Sequence, residues 1–193
     1  MRAGTATIAT GRGADHERML VIGAIATGAA ALVLRLAVIG RPSASVVFVA
    51  IYVALAALAL SVPVPKGADR ALAVPIVAGI GIAAVAFATA AMPGPRFVVA
   101  HGPEVVAFNS LAAVAEEAFF RRLVYGGFMR LGVAPAVLGS ALLFALVHVP
   151  LYGMAAFWVD LGAGLLLSWQ RWASGGWAAP AITHVTANLL AVL

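Results

Sequence analysis

Long apolar runs separated by short polar breaks form the dominant pattern along this chain. The breaks are rich in Gly, Pro and charged residues, and they lie at 40–45, 63–70, 93–96, 130–135, 149–153 and 170–176. A helix needs about 20 residues to cross the hydrocarbon of a bilayer. The pattern therefore predicts about seven transmembrane helices. The predicted spans lie near 19–39, 46–62, 71–92, 105–128, 135–149, 154–169 and 177–193.

The fifth and sixth apolar segments are shorter than the others. Residues 135–149 and 154–169 are separated by one Pro-containing turn. They are either two separate spans or one interrupted helical hairpin that does not fully cross, and the pattern leaves both possibilities open.

Composition agrees with the pattern and fixes the class of protein. Hydrophobic residues make up 64% of the 193 residues and charged residues 10%, and the mean hydropathy is +1.06. Soluble domains are roughly 45–50% apolar and about 25% charged. The chain is therefore predicted to be an all-α, polytopic membrane helical bundle. Since it has no cysteine, disulfides, thiolate metal sites and a cysteine nucleophile are excluded.

The net charge of +5 comes from basic residues that lie mostly in the predicted loops. This distribution is typical of topology determinants in a membrane protein, so no nucleic-acid partner is expected. Alternating spans place nine Lys and Arg residues on one side and three, Arg35, Arg41 and Arg96, on the other. The N-terminus is therefore predicted to be cytoplasmic, in a multi-pass plasma-membrane protein. The Ala-, Arg- and Gly-rich composition indicates a bacterial source.

Three parts of the chain follow from these patterns. Residues 1–18 are polar, have no cleavage site after a short apolar core, and are predicted to form a cytoplasmic arm. Residues 19–95 hold the N-terminal transmembrane helices. Residues 96–193 hold the polar side chains that could carry chemistry.

The segment AVAEEAFFRRLVY (113–125) places four charges within an apolar span. A charge at the bilayer centre costs at least about 2.5–3.5 kcal/mol, so such residues are functional candidates. Glu117 and Arg121 have the i, i+4 spacing of a helical ion pair. Glu116 is left unpaired, which would disfavour its ionisation and make it a useful proton acceptor. The alternative is an amphipathic juxtamembrane stretch whose charges lie among lipid headgroups.

Two histidines and an asparagine lie on later predicted helices. His148 ends the run LLFALVH, and His184 and Asn188 share one face of a helix because they are four residues apart. Two neutral donors stacked in this way could point at one developing negative oxygen. Each residue alone fits a structural role, whereas the combination with Glu116 favours a catalytic site.

Three short motifs in this order resemble a known family. EEAFFR (116–121), FALVH (144–148) and HVTAN (184–188) are similar to the EExxxR, FxxxH and HxxxN motifs of the CPBP family. That family contains the CAAX prenyl proteases of the second type and the Abi proteins for bacteriocin processing and immunity. The resemblance covers roughly residues 96–193 and implies an Abi-type C-terminal catalytic core.

The resemblance implies an intramembrane glutamate-type endopeptidase. Glu116 would then be the general base that activates water, and His148 would position and polarise that water. His184 and Asn188 would form the oxyanion hole. Hydrolysis needs these two functions on opposite sides of a carbonyl group.

The remaining motif residues receive supporting roles from the same resemblance. Glu117 and Arg121 would shape the site, and Phe144 would orient His148 by packing. Arg122 stands where the family often has glycine and is given no role. Asp160 is expected to make a structural hydrogen bond.

Cofactor and partners follow from the implied activity. Catalysis without a metal is favoured, and a zinc ion held by Glu116 and the two histidines is the alternative. The expected partners are the lipid bilayer and a membrane-embedded or membrane-tethered peptide substrate. The competing functions are a non-catalytic bacteriocin-immunity or adaptor protein and a transporter with Glu116 as proton relay. His148 lies near the end of its predicted helix, and a break at Pro150 would let it reach Glu116.

Overall fold

A computed structural model describes residues 6–64, 71–90 and 102–192 of the chain. Among these residues the ordered elements are helices, and no strand is present, so the predicted all-α class is confirmed for this part of the chain. A π-helical segment, Ala118–Val124, joins α4 to α5, and short 3₁₀ turns follow α1 (Arg35–Ala37) and α5 (Met129–Leu131). The α-helices are α1 (Ala6–Leu34), α2 (Ala44–Ser61), α3 (Ala73–Ala90), α4 (Pro103–Glu117), α5 (Tyr125–Phe128), α6 (Val133–Tyr152), α7 (Met154–Ser174) and α8 (Ala178–Val192).

Helix occupies most of the described part of each of the seven predicted spans, and the exceptions lie at the ends of the spans. Three stretches among the described residues are long and apolar enough to cross a bilayer, namely Asp15–Ala37, Ala44–Ser61 and Val133–Tyr152. The chain is therefore a membrane protein, while the crossing of all seven spans stays a prediction. The predicted breaks at 93–96 and, except for its first two residues, at 63–70 lie outside the described residues.

The first helix begins earlier than its apolar run. Helix α1 starts at Ala6, so the described part of the predicted N-terminal arm, residues 6–18, is helical and continuous with the first span, while its cytoplasmic location stays a prediction. Residues 15–20 are exposed. Polar side chains are compatible with a helix whose surface meets water, so hydropathy marks the apolar part of α1 and not its first turn.

A helix break at Pro150, which the sequence left possible, does not occur, and within the predicted break 149–153 the chain turns only at Gly153. Helix α6 continues through Pro150 to Tyr152 and ends at Gly153, whose φ of 83° favours glycine. Helix α7 begins at the next residue, so α6 and α7 form a tight hairpin and are the most extensively packed helix pair. A Cβ on Gly164 would lie 2.9 Å from the carbonyl oxygen of Ala141, which shows how closely the two backbones approach.

The π-helical segment lies at the centre of the core. All of its residues except Arg122 are buried, and it packs against α1, α2, α6 and α7. Gly28 makes the approach of α1 possible, because a Cβ at that position would collide with the ring of Phe119. Such π-segments occur frequently at functional sites.

Three arginines that the sequence analysis counted as topology determinants bind inside the bundle. Arg122 donates to the carbonyls of Ala59 and Val62 at the end of α2. Arg171 is buried, and its Nε donates to the carbonyl of Arg121 at 3.1 Å. Arg35 is also buried, at 2% exposure.

A buried arginine bound to protein oxygens does not report the side of the membrane on which a loop lies. Removing Arg35, Arg121, Arg122 and Arg171 from the count leaves six basic residues on the predicted cytoplasmic side and two on the other. The bias keeps its direction, and the orientation of the N-terminus stays a prediction.

Candidate active site

Glu116 lies at the end of α4 and is 4% exposed. Its Oε1 accepts a hydrogen bond from Arg35 Nη1 at 3.2 Å and a longer one from the Tyr52 hydroxyl at 3.5 Å. The expectation that Glu116 is unpaired is therefore wrong, and the argument for disfavoured ionisation loses its basis. A lone buried carboxylate is costly, and the first two helices supply the cation and the hydroxyl that offset this cost.

The second oxygen of Glu116 faces a different kind of group. Oε2 lies 3.6 Å from Nε2 of His148 on α6. His148 Nδ1 lies 2.7 Å from the carbonyl oxygen of Phe144, which can only accept, so Nδ1 carries a proton. In the neutral ring Nε2 is then an acceptor, and a molecule that donates two hydrogen bonds, such as water, could serve both atoms; in the protonated ring Nε2 donates toward Oε2 instead.

Glu117 has a separate set of partners. Its Oε2 lies 3.2 Å from Nε of Arg121, which is the predicted i, i+4 ion pair, and both side chains are fully buried. Its Oε1 lies 2.9 Å from Nδ1 of His184 on α8. Arg121 is fixed further by its Nη2, which donates to the carbonyl of Gly164 at 3.3 Å. Glu117 therefore links the π-helical segment to α8.

Phe144 lies between the two histidines. Its ring centroid is 4.6 Å from that of His148 and 5.7 Å from that of His184. The guanidinium of Arg121 lies over the same ring at 4.6 Å. Phe144 therefore packs against both imidazoles, while the sequence suggested only His148.

Asn188 is placed by a contact with α4. Its Nδ2 donates to the carbonyl of Asn109 at 3.2 Å. An amide nitrogen carries two protons, so one remains for another acceptor. Nε2 of His184 has no hydrogen-bond partner among the described residues, so this atom is also available to another group. His184 and Asn188 thus share a face of α8, but neither contacts Glu116.

Two further polar residues differ from each other in their surroundings. Oδ2 of Asp160 is enclosed and has no hydrogen-bond partner among residues 6–64, 71–90 and 102–192, so the expected structural hydrogen bond at that oxygen is not present there. Ser140 is fully buried and donates to the carbonyl of Phe120 at 2.8 Å. Its hydroxyl holds α6 against the π-helical segment and is not placed as a nucleophile.

The geometry does not fit a zinc site. Within the part of the chain that the structure describes, no three His, Asp or Glu side chains are grouped as metal ligands would be. His184 hydrogen-bonds Glu117, whereas Glu116 forms an ion pair with Arg35. The carboxylate that a metal would need as a ligand therefore already has a cation beside it. A positive neighbour disfavours a second positive charge at the same oxygen pair.

Sequence reasoning missed Arg35 and Tyr52, which come from α1 and α2. A signal for Arg35 was present, because it is the only charged residue in the apolar run 31–40. A cation inside an apolar span is a functional candidate by default. Tyr52 gave no such signal, since tyrosine is common in apolar helices and at membrane interfaces.

The comparison with family models gives one match. Residues 100–190 match the family described as type II CAAX prenyl endopeptidase Rce1-like. This region holds all three motifs, and the match confirms the resemblance to the CPBP family that the motifs indicated. No match was found among curated proteins or among solved structures. Membership in a protease family identifies the site around Glu116 as a candidate hydrolytic site.

Proposed function

We propose that this membrane protein is an endopeptidase that hydrolyses a peptide bond of a membrane-associated protein or peptide with water activated by Glu116. The observation that carries the proposal is the approach of Glu116 Oε2 to His148 Nε2, which lie 3.6 Å apart in a buried site and are both acceptors when the ring is neutral. A water about 2.8 Å from each atom would donate to both and be held for attack. Membership of residues 100–190 in a protease family supports the same activity.

The reaction follows from these positions. Glu116 takes a proton from the bound water, and the water oxygen forms a bond to the carbonyl carbon of the substrate. The carbonyl π-electrons move to the oxygen, which becomes an oxyanion. When the oxyanion reforms the carbonyl, the C–N bond breaks and the proton on Glu116 passes to the departing amine. His148 positions the water before it attacks, and its Nδ1 stays hydrogen-bonded to the carbonyl of Phe144.

We assign oxyanion stabilisation to His184 and Asn188. A protonated His184 donates from Nε2 while its Nδ1 stays on Glu117, whose carboxylate is the counter-ion. Asn188 contributes the amide proton that Asn109 does not use. Removal of one such donor from a protease typically costs about 10²–10³-fold in kcat.

The substrate class follows from the environment of the site. The candidates are a prenylated-type C-terminus, a peptide pheromone or bacteriocin leader, and a C-terminal sorting anchor. The exposed apolar side chains of α1, α2 and α6 indicate a lipid-facing surface, which favours a substrate that arrives from the bilayer. We further propose a multi-pass plasma-membrane protein with a cytoplasmic N-terminus.

Reconstitution tests the proposal. The wild-type protein, Glu116→Gln and His184→Ala are placed in proteoliposomes with membrane peptides of the three substrate classes. We expect new peptide termini only with the wild type, with all three proteins folded. Full cleavage by both variants would refute the glutamate mechanism. If no peptide is cleaved and an intact membrane peptide instead co-purifies with the protein, the immunity or adaptor function is favoured.

A chelator addresses the metal question. Because the geometry supports water activation by Glu116 and His148 alone, we expect cleavage to persist after prolonged treatment with EDTA or 1,10-phenanthroline. Loss of cleavage that added zinc restores would support the zinc alternative.

A further inference from the structure

We propose that Arg35 is a positioning residue for Glu116, so that the N-terminal helices complete an active site whose motif residues lie in the family-matching region. This inference rests on the proposed role of Glu116. Arg35 lies just after α1, outside residues 100–190. Its Nη1 reaches Oε1 of Glu116 at 3.2 Å across 81 positions of sequence.

The guanidinium of Arg35 is itself held in place. Its Nε donates to the carbonyl of Leu32 at 3.1 Å, and its Nη1 donates to the Tyr52 hydroxyl at 2.7 Å. The ring of Tyr52 also lies 5.6 Å from the guanidinium carbon. With 2% exposure, the side chain has little freedom to leave this position. Arg35 therefore presents a fixed cation to the carboxylate.

The fixed cation gives the two oxygens of Glu116 different tasks. Oε1 is occupied by Arg35 and Tyr52, and this contact turns Oε2 toward Nε2 of His148. Without Arg35, the carboxylate would be free to rotate, and its charge would be balanced only by a proton taken up at His148. Protonated His148 could no longer accept a hydrogen bond from water, so the water site would be lost.

Arg122 provides a matched control for this role. Like Arg35 it binds across to α2, but it is only partly buried, and its partners are the main-chain carbonyls of Ala59 and Val62. Loss of Arg122 removes structural hydrogen bonds without touching a carboxylate of the site. A difference between the two arginines therefore separates positioning from general structural support.

Steady-state cleavage kinetics test the inference. We expect Arg35→Met to lower kcat about 10²-fold with KM changed less than about 3-fold, because misplacement of a catalytic group costs turnover and not substrate binding. Arg35→Lys should recover at least tenfold of the lost kcat, since it restores a cation near Oε1. Tyr52→Phe should lower kcat about 3-fold, and Arg122→Met should leave kcat and KM as in the wild type.

Thermal unfolding in detergent gives a second measurement. Arg35→Met should lower Tm because it leaves a buried carboxylate without its cation, and Arg35→Met/Glu116→Gln should regain most of that loss. An effect of packing alone would leave the double variant as unstable as Arg35→Met. If Arg35→Met does not fold, Arg35→Lys tests the inference in its place. We expect this variant to have a reduced kcat and the Tm of the wild type.

The outcomes separate this inference from the proposed function. If Glu116→Gln is inactive but Arg35→Met, or Arg35→Lys in its place, keeps the wild-type kcat, then Arg35 has no positioning role and the proposed function stands. If Glu116→Gln itself keeps full activity, the proposed function fails and Arg35 has nothing to position. An equal fall in kcat for Arg35→Met and Arg122→Met would also overturn the inference.

Discussion

Glu116 and Glu117 are neighbours in sequence, yet they lie in two different environments. Consecutive residues on a helix point about 100° apart, so each carboxylate meets a different set of helices. Both oxygens of Glu117 face protein groups: His184 hydrogen-bonds Oε1, and Arg121 forms an ion pair with Oε2 without a hydrogen bond. Among the described residues, Glu116 accepts hydrogen bonds from Arg35 and Tyr52 at Oε1, and its Oε2 lies 3.6 Å from Nε2 of His148.

This difference assigns different roles to two chemically identical side chains. The hydrogen-bonding capacity of Glu117 is directed at protein groups that hold α8 to the π-helical segment. Glu116 keeps one oxygen for a molecule that is not part of the chain. A carboxylate whose two oxygens both face a cation or donor of the protein stabilises the fold, whereas one with an oxygen beside a histidine can accept a proton from water.

The largest expected effect is on activity at Glu116. Glu116→Gln removes the proton acceptor, so kcat should fall by about 10³-fold or more. Stability should fall less than in Glu117→Gln, because the glutamine oxygen can still accept from Arg35 and its NH₂ can face Nε2 of His148, although the buried cation of Arg35 loses its counter-charge. Peptide-cleavage kinetics and thermal unfolding of the same preparation measure both. A strongly destabilised Glu116→Gln would contradict the assignment of the two oxygens.

Glu117→Gln should act mainly on stability, whereas Glu116→Gln acts mainly on activity. Glu117→Gln directs an NH₂ at either Arg121 or His184, both of which face the carboxylate in this structure. Since Arg121 is fully buried, we expect a loss of about 3–5 kcal/mol in the free energy of unfolding. Denaturation in mild detergent, followed by circular dichroism, measures it. If Glu117→Gln were as stable as the wild type, the contrast between the carboxylates would fail.

A smaller effect is expected at the ring that lies between the two sites. Phe144→Leu keeps an apolar side chain but removes the aromatic contacts with His148 and His184. We expect kcat to fall about tenfold, with a loss of about 1–1.5 kcal/mol in stability. Phe157→Leu, in an aromatic pair away from both carboxylates, is the control. Equal kinetic effects of the two variants would argue against an orienting role for Phe144.

The smallest effect sets the baseline for a carboxylate outside the site. Glu17 pairs with Arg130 at 3.5 Å, and their side chains are 60% and 27% exposed. Because exposed ion pairs contribute about 0–1 kcal/mol, Glu17→Gln should change neither cleavage nor Tm measurably. A large loss of Tm in this variant would show that the contribution of a carboxylate to the stability of this protein does not depend on its burial and its partners.

The sequence predicted the helical segments well because hydropathy and polar breaks are local properties. The spans near 46–62 and 71–92 correspond to Ala44–Ser61 and Ala73–Ala90. The ends of α1 and α6 were wrong for a related reason. A helix ends where backbone hydrogen bonding stops, as at Gly153, and this position need not coincide with a polar residue or a proline.

The sequence by itself determined the class of protein, the three motifs and the ion pair of Glu117 with Arg121, since composition, order and i, i+4 spacing are readable along one chain. Only the tertiary structure decided that Glu116 is paired with Arg35, that His184 lies on Glu117, and that Asn188 contacts α4. These contacts join residues 67 to 81 positions apart. Their formation depends on how whole helices pack, and no spacing within one helix encodes it.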